Sequence, residues 1–271
     1  KHLVGVQAVP TGTVSLSNLT LNSNANAYGV HAYTTTDGAD VRFSNVTMKN
    51  SRGAGLTVNG STVIATNLST EGNSWGGVNV DPGSGVVSPS VFTLNSGTLA
   101  ENTQIWSDGA NVNASSTVTV NAVGYTQYKK AGTNVIVWSN STTNLATITK
   151  AGITTGYTTS QAAIDAAEAG DTIMVYPGTY NETATDRSVN GASYQFGLFF
   201  GTSTVTLQAV TSGTVIITTN ATNSFGNSGT FVAADNITIS GITFAENIPG
   251  TNKTIEVIGD NFTLTNSKIS E

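Results

Sequence analysis

Sixteen carboxylates, ten lysines and arginines and two histidines are spread over 271 residues. Few of them fall where they could act together. Hydrolysis by paired carboxylates needs two acids at a set separation, and Ca2+ needs several oxygens converging on one point. Asp235 and Asp260 occupy matching positions, each one residue before an asparagine (Asn236, Asn261), and Asp40 sits one residue later in the same frame. Aspartate at such places is ordinary turn chemistry, and the ligand number is poor for Ca2+, the one cofactor these acids suggest. His2 and His31 are the only histidines and show no metal-binding spacing. Arg42, Lys49 and Arg52 could meet an anionic ligand, but read as solvated surface charge. Trp75, in NSWGGVNVD, is a different kind of candidate. With Tyr28 and Tyr33 it would make a sugar-stacking platform, or it plugs a turn by packing. No catalytic constellation emerges, so the expectation is a chain that is not an enzyme.

The elements that would position these residues form a repeat. Five segments align without gaps: VSLSNLTL (14–21), VRFSNVTM (41–48), VIATNLST (63–70), ITISGITF (237–244) and FTLTNSKI (262–269). Each alternates apolar and polar residues, the mark of a half-buried strand. Each places Asn or Gly fifth, at Asn18, Asn45, Asn67, Gly241 and Asn266. A second apolar pair follows in GVHAY (29–33), GLTVN (55–59) and GVNVD (77–81), its Gly lying 11, 10 and 10 residues after the asparagine. Short strands recurring in a period of roughly 20–29 residues predict a coiled, solenoidal sheet. Each coil must stack on its neighbours to bury its apolar face.

Alignment on that Gly sets the outward columns, because alternate strand residues share a face. One column is Gln7, His31, Thr57 and Asn79, and the next is Val9, Tyr33, Asn59 and Asp81. Trp75, Tyr33, His31 and Asp81 are therefore the candidate ligand-binding residues, with a polysaccharide as the candidate ligand.

The pattern resembles the right-handed parallel β-helix of the pectin-lyase-like superfamily, as found in large bacterial and archaeal adhesin-like surface proteins. The asparagines resemble that family's stacked ladder. TTSQAAIDAAEAGDTIMVYPGTYNE (158–182) resembles its usual opening, a helix capping the first coil. The resemblance covers about 14–90 and 155–271. It implies an all-β fold and raises a lyase or hydrolase reading. A lyase of this type would need acidic Ca2+ ligands and a basic residue beside them, and the outward face offers one Asp, one His and no basic side chain.

Composition narrows the function classes. A net charge of −6 with three arginines argues against a nucleic-acid partner. No apolar run nears the roughly 20 residues of a membrane helix, so no membrane insertion is expected. There are no cysteines. Low charge with abundant Thr and Asn suits a secreted, cell-surface location.

The organisation reads as two parts of one architecture. Residues 1–90 are closing-type coils, 91–148 are terminal β-structure, 149–160 a linker, and 161–271 a capping helix (near 161–170) with the opening coils of a second β-helix. The chain starts at Lys1 rather than Met, which reads as a processed or excised segment. Placed tail before head, FTLTNSKISE|KHLVGVQAV puts 10 residues between Asn266 and Gly5, the spacing seen inside the first part. The resulting expectation is self-association, tail coil on head coil, through Phe262, Leu264 and Ile269 meeting Leu3, Val4, Val6 and Ala8. Separate subunits would form an open filament, while a covalent tandem array would give the same contacts. The alternatives are a monomeric polysaccharide-binding adhesin module or, further off, a polysaccharide lyase or hydrolase.

Overall fold

A computed structural model describes residues 1–7, 12–33, 40–82, 88–108, 116–140, 145–221, 227–245 and 253–270. The chain is nearly all β, built of parallel stacked coils that form a β-solenoid of about nine turns. It divides into two compact units, Lys1–Ser141 and Thr142–Glu271.

The first unit holds β1 (His2–Val6), β2 (Thr13–Asn22), β3 (Tyr28–Tyr33), β4 (Asp40–Lys49), β5 (Ala54–Asn59), β6 (Thr62–Glu71), β7 (Gly76–Val80), β8 (Ser90–Leu94), β9 (Gly97–Leu99), β10 (Ile105–Asp108), β11 (Ser116–Val120), β12 (Thr126–Lys130) and β13 (Val135–Ser139). One parallel ladder runs β1-β3-β5-β7-β10 and a second runs β2-β4-β6-β8-β11. The parallel ladders continue past residue 90, through β8 and β11. Antiparallel pairing of β10 with β13, and of β13 with β12, then ends the parallel run.

The long strands β2, β4 and β6 each contain the repeat asparagine at positive φ: Asn18 at 55°, Asn45 at 55° and Asn67 at 52°. This left-handed turn resets the alternation. In β4, Val41 and Phe43 point inward before it and Val46 and Met48 after it, all buried. A straight strand would have sent residues 45 and 47 inward instead. The amides also stack: Asn45 Nδ2 donates to Asn18 Oδ1 at 3.0 Å and Asn67 Nδ2 to Asn45 Oδ1 at 2.9 Å. Asn45→Ala should therefore cost about 1–3 kcal/mol, from the left-handed backbone and two lost hydrogen bonds. Asn45→Gly should cost less, since glycine accepts that backbone. Urea denaturation of both variants checks the order.

The second unit holds β14 (Ala146–Lys150), β15 (Ile153–Tyr157), α1 (Ser160–Ala166), β16 (Thr172–Val175), β17 (Gly178–Glu182), β18 (Thr185–Val189), β19 (Ala192–Phe200), β20 (Thr206–Ala209), β21 (Val215–Thr219), β22 (Ser228–Val232), β23 (Thr238–Ser240), β24 (Ile242–Ala245), β25 (Lys253–Val257), β26 (Thr263–Thr265) and β27 (Lys268–Ser270). Parallel ladders β16-β20-β23-β26, β17-β21-β24-β27 and β19-β22-β25 form its coils.

Two boundaries differ from the sequence expectation. The interval 149–160, read as a linker, carries most of a β-hairpin. Strands β14 and β15 pair antiparallel around Ala151 and Gly152, both at positive φ (48° and 77°), as a tight hairpin turn demands. The helix also ends at Ala166, not near 170, because Ala167 is already extended and Gly170 turns at φ 94°. Its start is fixed twice. Thr159 Oγ1 accepts from Ala162 N at 3.1 Å, and the buried Glu182 carboxylate accepts from Ser160 N at 2.6 Å.

Candidate functional site

Two places gather the residues singled out by sequence: the outermost coil of each unit, and the outward face of the β1-β3-β5-β7 ladder.

Among the described residues, the strands β1 and β2 in the first unit, and β25, β26 and β27 in the second, each have a neighbour on one side of their ladder only. Their apolar residues are correspondingly half covered. In β4, Val41, Phe43, Val46 and Met48 are buried, yet Val14, Leu16 and Leu21, their register partners in β2, are only partly buried and Leu19 is exposed. In the second unit Ile239 and Phe244 are fully buried, whereas their partners Leu264 and Ile269 are half-buried and 52% exposed. Phe262 is half-buried against the same core. At the head, Leu3 is 39% exposed and Val4 half-buried, but Val6 is 5% exposed and already belongs to the core of its own unit. Ala8 lies outside the described residues.

The register of β1 differs from the sequence alignment by two residues. Val4 pairs with Val30 and Gly5 with His31, so Leu3, not Gly5, stands beside Gly29. The first outward column is thus Gly5, His31, Thr57 and Asn79. From Asn266 to Leu3 across the seam is eight residues, five to Glu271 and three more, against 10 or 11 inside the first unit. A slip of two keeps every side chain on its face, which is why the apolar pattern fitted both registers.

The same correction sets His2 beside Tyr28, next to the aromatic residues of the outward face. A continuous run of rings crosses it: Trp75 to Tyr28 at 5.3 Å, Tyr28 to His2 at 5.6 Å, His2 to His31 at 4.5 Å and His31 to Tyr33 at 4.7 Å. The Arg52 guanidinium lies over the Tyr28 ring, 4.8 Å from its centre. Trp75 is 59% exposed, so it is no plug. Gly53 makes room: a Cβ there would collide with Tyr28 Cδ1 and sit 3.3 Å from Trp75 Cε3.

Asp81 stands apart from the rings and is held by backbone. Its carboxylate accepts from Asp108 N at 2.7 Å and its carbonyl from Asn59 Nδ2 at 2.7 Å. Burial nonetheless raises its pKa, the Asp108 hydrogen bond opposing. Because Asn59 spends its amide protons on that carbonyl, its Oδ1 faces His31 Nε2, 2.5 Å away, as acceptor. His31 therefore donates through Nε2.

Burial holds both imidazoles below the ordinary histidine value. For His31 the Asn59 hydrogen bond pulls upward and the His2 charge pushes down again. A depressed histidine favours the neutral fold. Its stabilisation is complete above the ordinary value near 6.5 and is lost as pH falls toward the lowered one. Acidification from pH 7.5 to 5 should therefore loosen β1, an edge strand held by β3, before the rest of the unit. Amide exchange of His2–Val6, corrected for intrinsic rate, should rise more than that of β5.

Sequence reasoning missed one interior feature. Glu101 is buried and accepts from Thr70 Oγ1 at 2.5 Å and Asn73 Nδ2 at 2.6 Å, while Asn73 also bonds Met48 O at 3.1 Å and takes Ser51 N at 2.9 Å on its Oδ1. Among the described residues no three His, Asp or Glu side chains gather as metal ligands, and no helix is long and apolar enough to cross a membrane. No family model, curated protein or solved structure matches the chain.

Proposed function

We propose that this chain is an extracellular structural protein of the pectin-lyase-like β-helix type, which polymerises by stacking the tail coil of one copy on the head coil of the next. One observation carries the reading: the outermost coil of each unit has the inward-facing apolar columns of the inner coils, without the neighbour that covers them. The two faces have matching layouts. Phe262 just before β26, Leu264 in β26 and Ile269 in β27 flank Asn266 at φ 51°, as Val14, Leu16 and Leu21 flank Asn18 at φ 55°. Stacking would extend the asparagine ladder by one rung and cover both apolar rows, with backbone pairing along the edges. The contact joins unlike surfaces and does not close on itself, so it propagates. The low charge and Thr/Asn-rich composition support an extracellular setting.

Light scattering coupled to size-exclusion chromatography tests this. The expected result is a mass rising with concentration in steps of 27.7 kDa. A constant 27.7 kDa at every concentration would remove the proposal.

A further inference from the structure

We infer that the stacked asparagines give the solenoid a polarity that admits only one order of stacking: the head coil offers amide donors and the tail coil offers amide acceptors. The inference rests on the coil-stacking reading and names what orders it. Among the described residues, five hydrogen bonds join one asparagine side chain to another. They run from Asn45 to Asn18, Asn67 to Asn45, Asn50 to Asn22, Asn121 to Asn95 and Asn261 to Asn236, at 2.9 to 3.1 Å. In each of them the later residue donates through Nδ2 and the earlier accepts through Oδ1. The sense is the same in both units.

An amide whose oxygen is taken by the coil on one side presents its nitrogen to the other. Asn18 Oδ1 is held by Asn45 Nδ2, so Asn18 Nδ2 is the end left over at the head. Asn22 Oδ1 accepts from both Asn50 Nδ2 and Asn24 N, which leaves its Nδ2 over as well. The tail shows the converse. Asn261 Nδ2 is spent on Asn236, so its Oδ1 is left over. Asn266 follows Thr265, the register partner of Ser240, so Gly241 stands behind it and no side chain holds its amide. That amide turns to suit its partner. Segments 14–21 and 262–269 align without gaps, so stacking sets Asn266 against Asn18, and Asn261 against Thr13, whose hydroxyl donates. Both ends carry an apolar row, and apolar burial alone would admit any pairing of ends. The amides do not: head on head sets donor against donor and leaves both unpaired.

Mixing two chains, each blocked at one end, tests this by sedimentation velocity. Leu19→Glu closes the head and leaves the tail, while Ile269→Glu closes the tail and leaves the head. Each alone should stay a 27.7 kDa monomer, and the equal mixture should form dimers that grow no further. Asn266→Asp added to the Leu19→Glu chain should leave dimer affinity within about twofold, because a carboxylate still accepts from Asn18 Nδ2. Asn18→Asp added to the Ile269→Glu chain as well sets carboxylate against carboxylate and should lower affinity about tenfold or more. Circular dichroism of all four chains should match the parent, since aspartate also accepts these left-handed turns. Dimers of either blocked chain alone would overturn the polarity, because like ends would then be joining. So would a mixture that stays monomeric although the parent associates, or equal affinity with and without the paired aspartates. A parent that never associates would remove coil stacking itself, and the polarity with it.

Discussion

Ile269→Glu and Leu19→Glu chains will fold normally and lose self-association. Both side chains are exposed in the single chain, Ile269 at 52% and Leu19 at 39%, so a carboxylate at either place stays in water while the subunit is alone. On stacking it would be carried into an apolar junction with no partner. Such burial costs several kcal/mol, and each 1.4 kcal/mol is tenfold in affinity. The apparent association constant should fall at least a hundredfold in sedimentation velocity runs. Unfolding transitions of the variants should coincide with that of the parent. If the variants associate as well as the parent, the end coils are not the contact. A charge change on β12 (Lys129→Glu), away from both end coils, should leave association as it is.

Glu101→Ala will be among the most destabilising single changes in the first unit, at about 3–5 kcal/mol. The side chain is buried and accepts from Thr70 Oγ1 and the Asn73 amide. Its removal leaves three buried donors, Thr70 Oγ1, Asn73 Nδ2 and the Asn73 backbone N–H, without that acceptor, and a cavity beside them. Each unsatisfied buried group costs about 1–3 kcal/mol, and the cavity adds to this. The Asn73 amide also bridges to Met48 O and Ser51 N, so the damage spreads across neighbouring coils. A fall in denaturant midpoint with little change in slope is the expected signature. A loss under about 1 kcal/mol would mean that water replaces the carboxylate without strain.

These two predictions mark what the sequence displayed and what it concealed. The asparagine turns were legible because a left-handed backbone at a fixed place in every coil selects Asn or Gly, and selection repeated along the chain becomes a visible column. The strands between them were legible by alternation. Glu101 was not, because a polar group buried once leaves no period. The hairpin around Ala151 and Gly152 was missed for a related reason: its turn lacks the Asn-Gly or Asp-Gly pair that usually announces one. Alignment of Gly5 with Gly29 failed because those glycines answer to local crowding. A Cβ at Gly29 would strike the Gly55 carbonyl, and one at Gly55 would lie 2.9 Å from the Gly77 oxygen. Gly5 has no such neighbour, its nearest contact being the Tyr33 ring at 3.6 Å. That slip concealed His2, and with it the continuity of an aromatic run whose other rings were already in view. Trp75, Tyr28 and Tyr33 were grouped from the sequence, and the register of β1 adds His2 between Tyr28 and His31.

The most direct test of end-to-end stacking is negative-stain electron microscopy of the purified chain across a concentration series, with a denaturing gel of the same sample. Coil stacking predicts thin unbranched filaments that lengthen with concentration and dissolve to a 27.7 kDa band. Dispersed single particles at every concentration would contradict it.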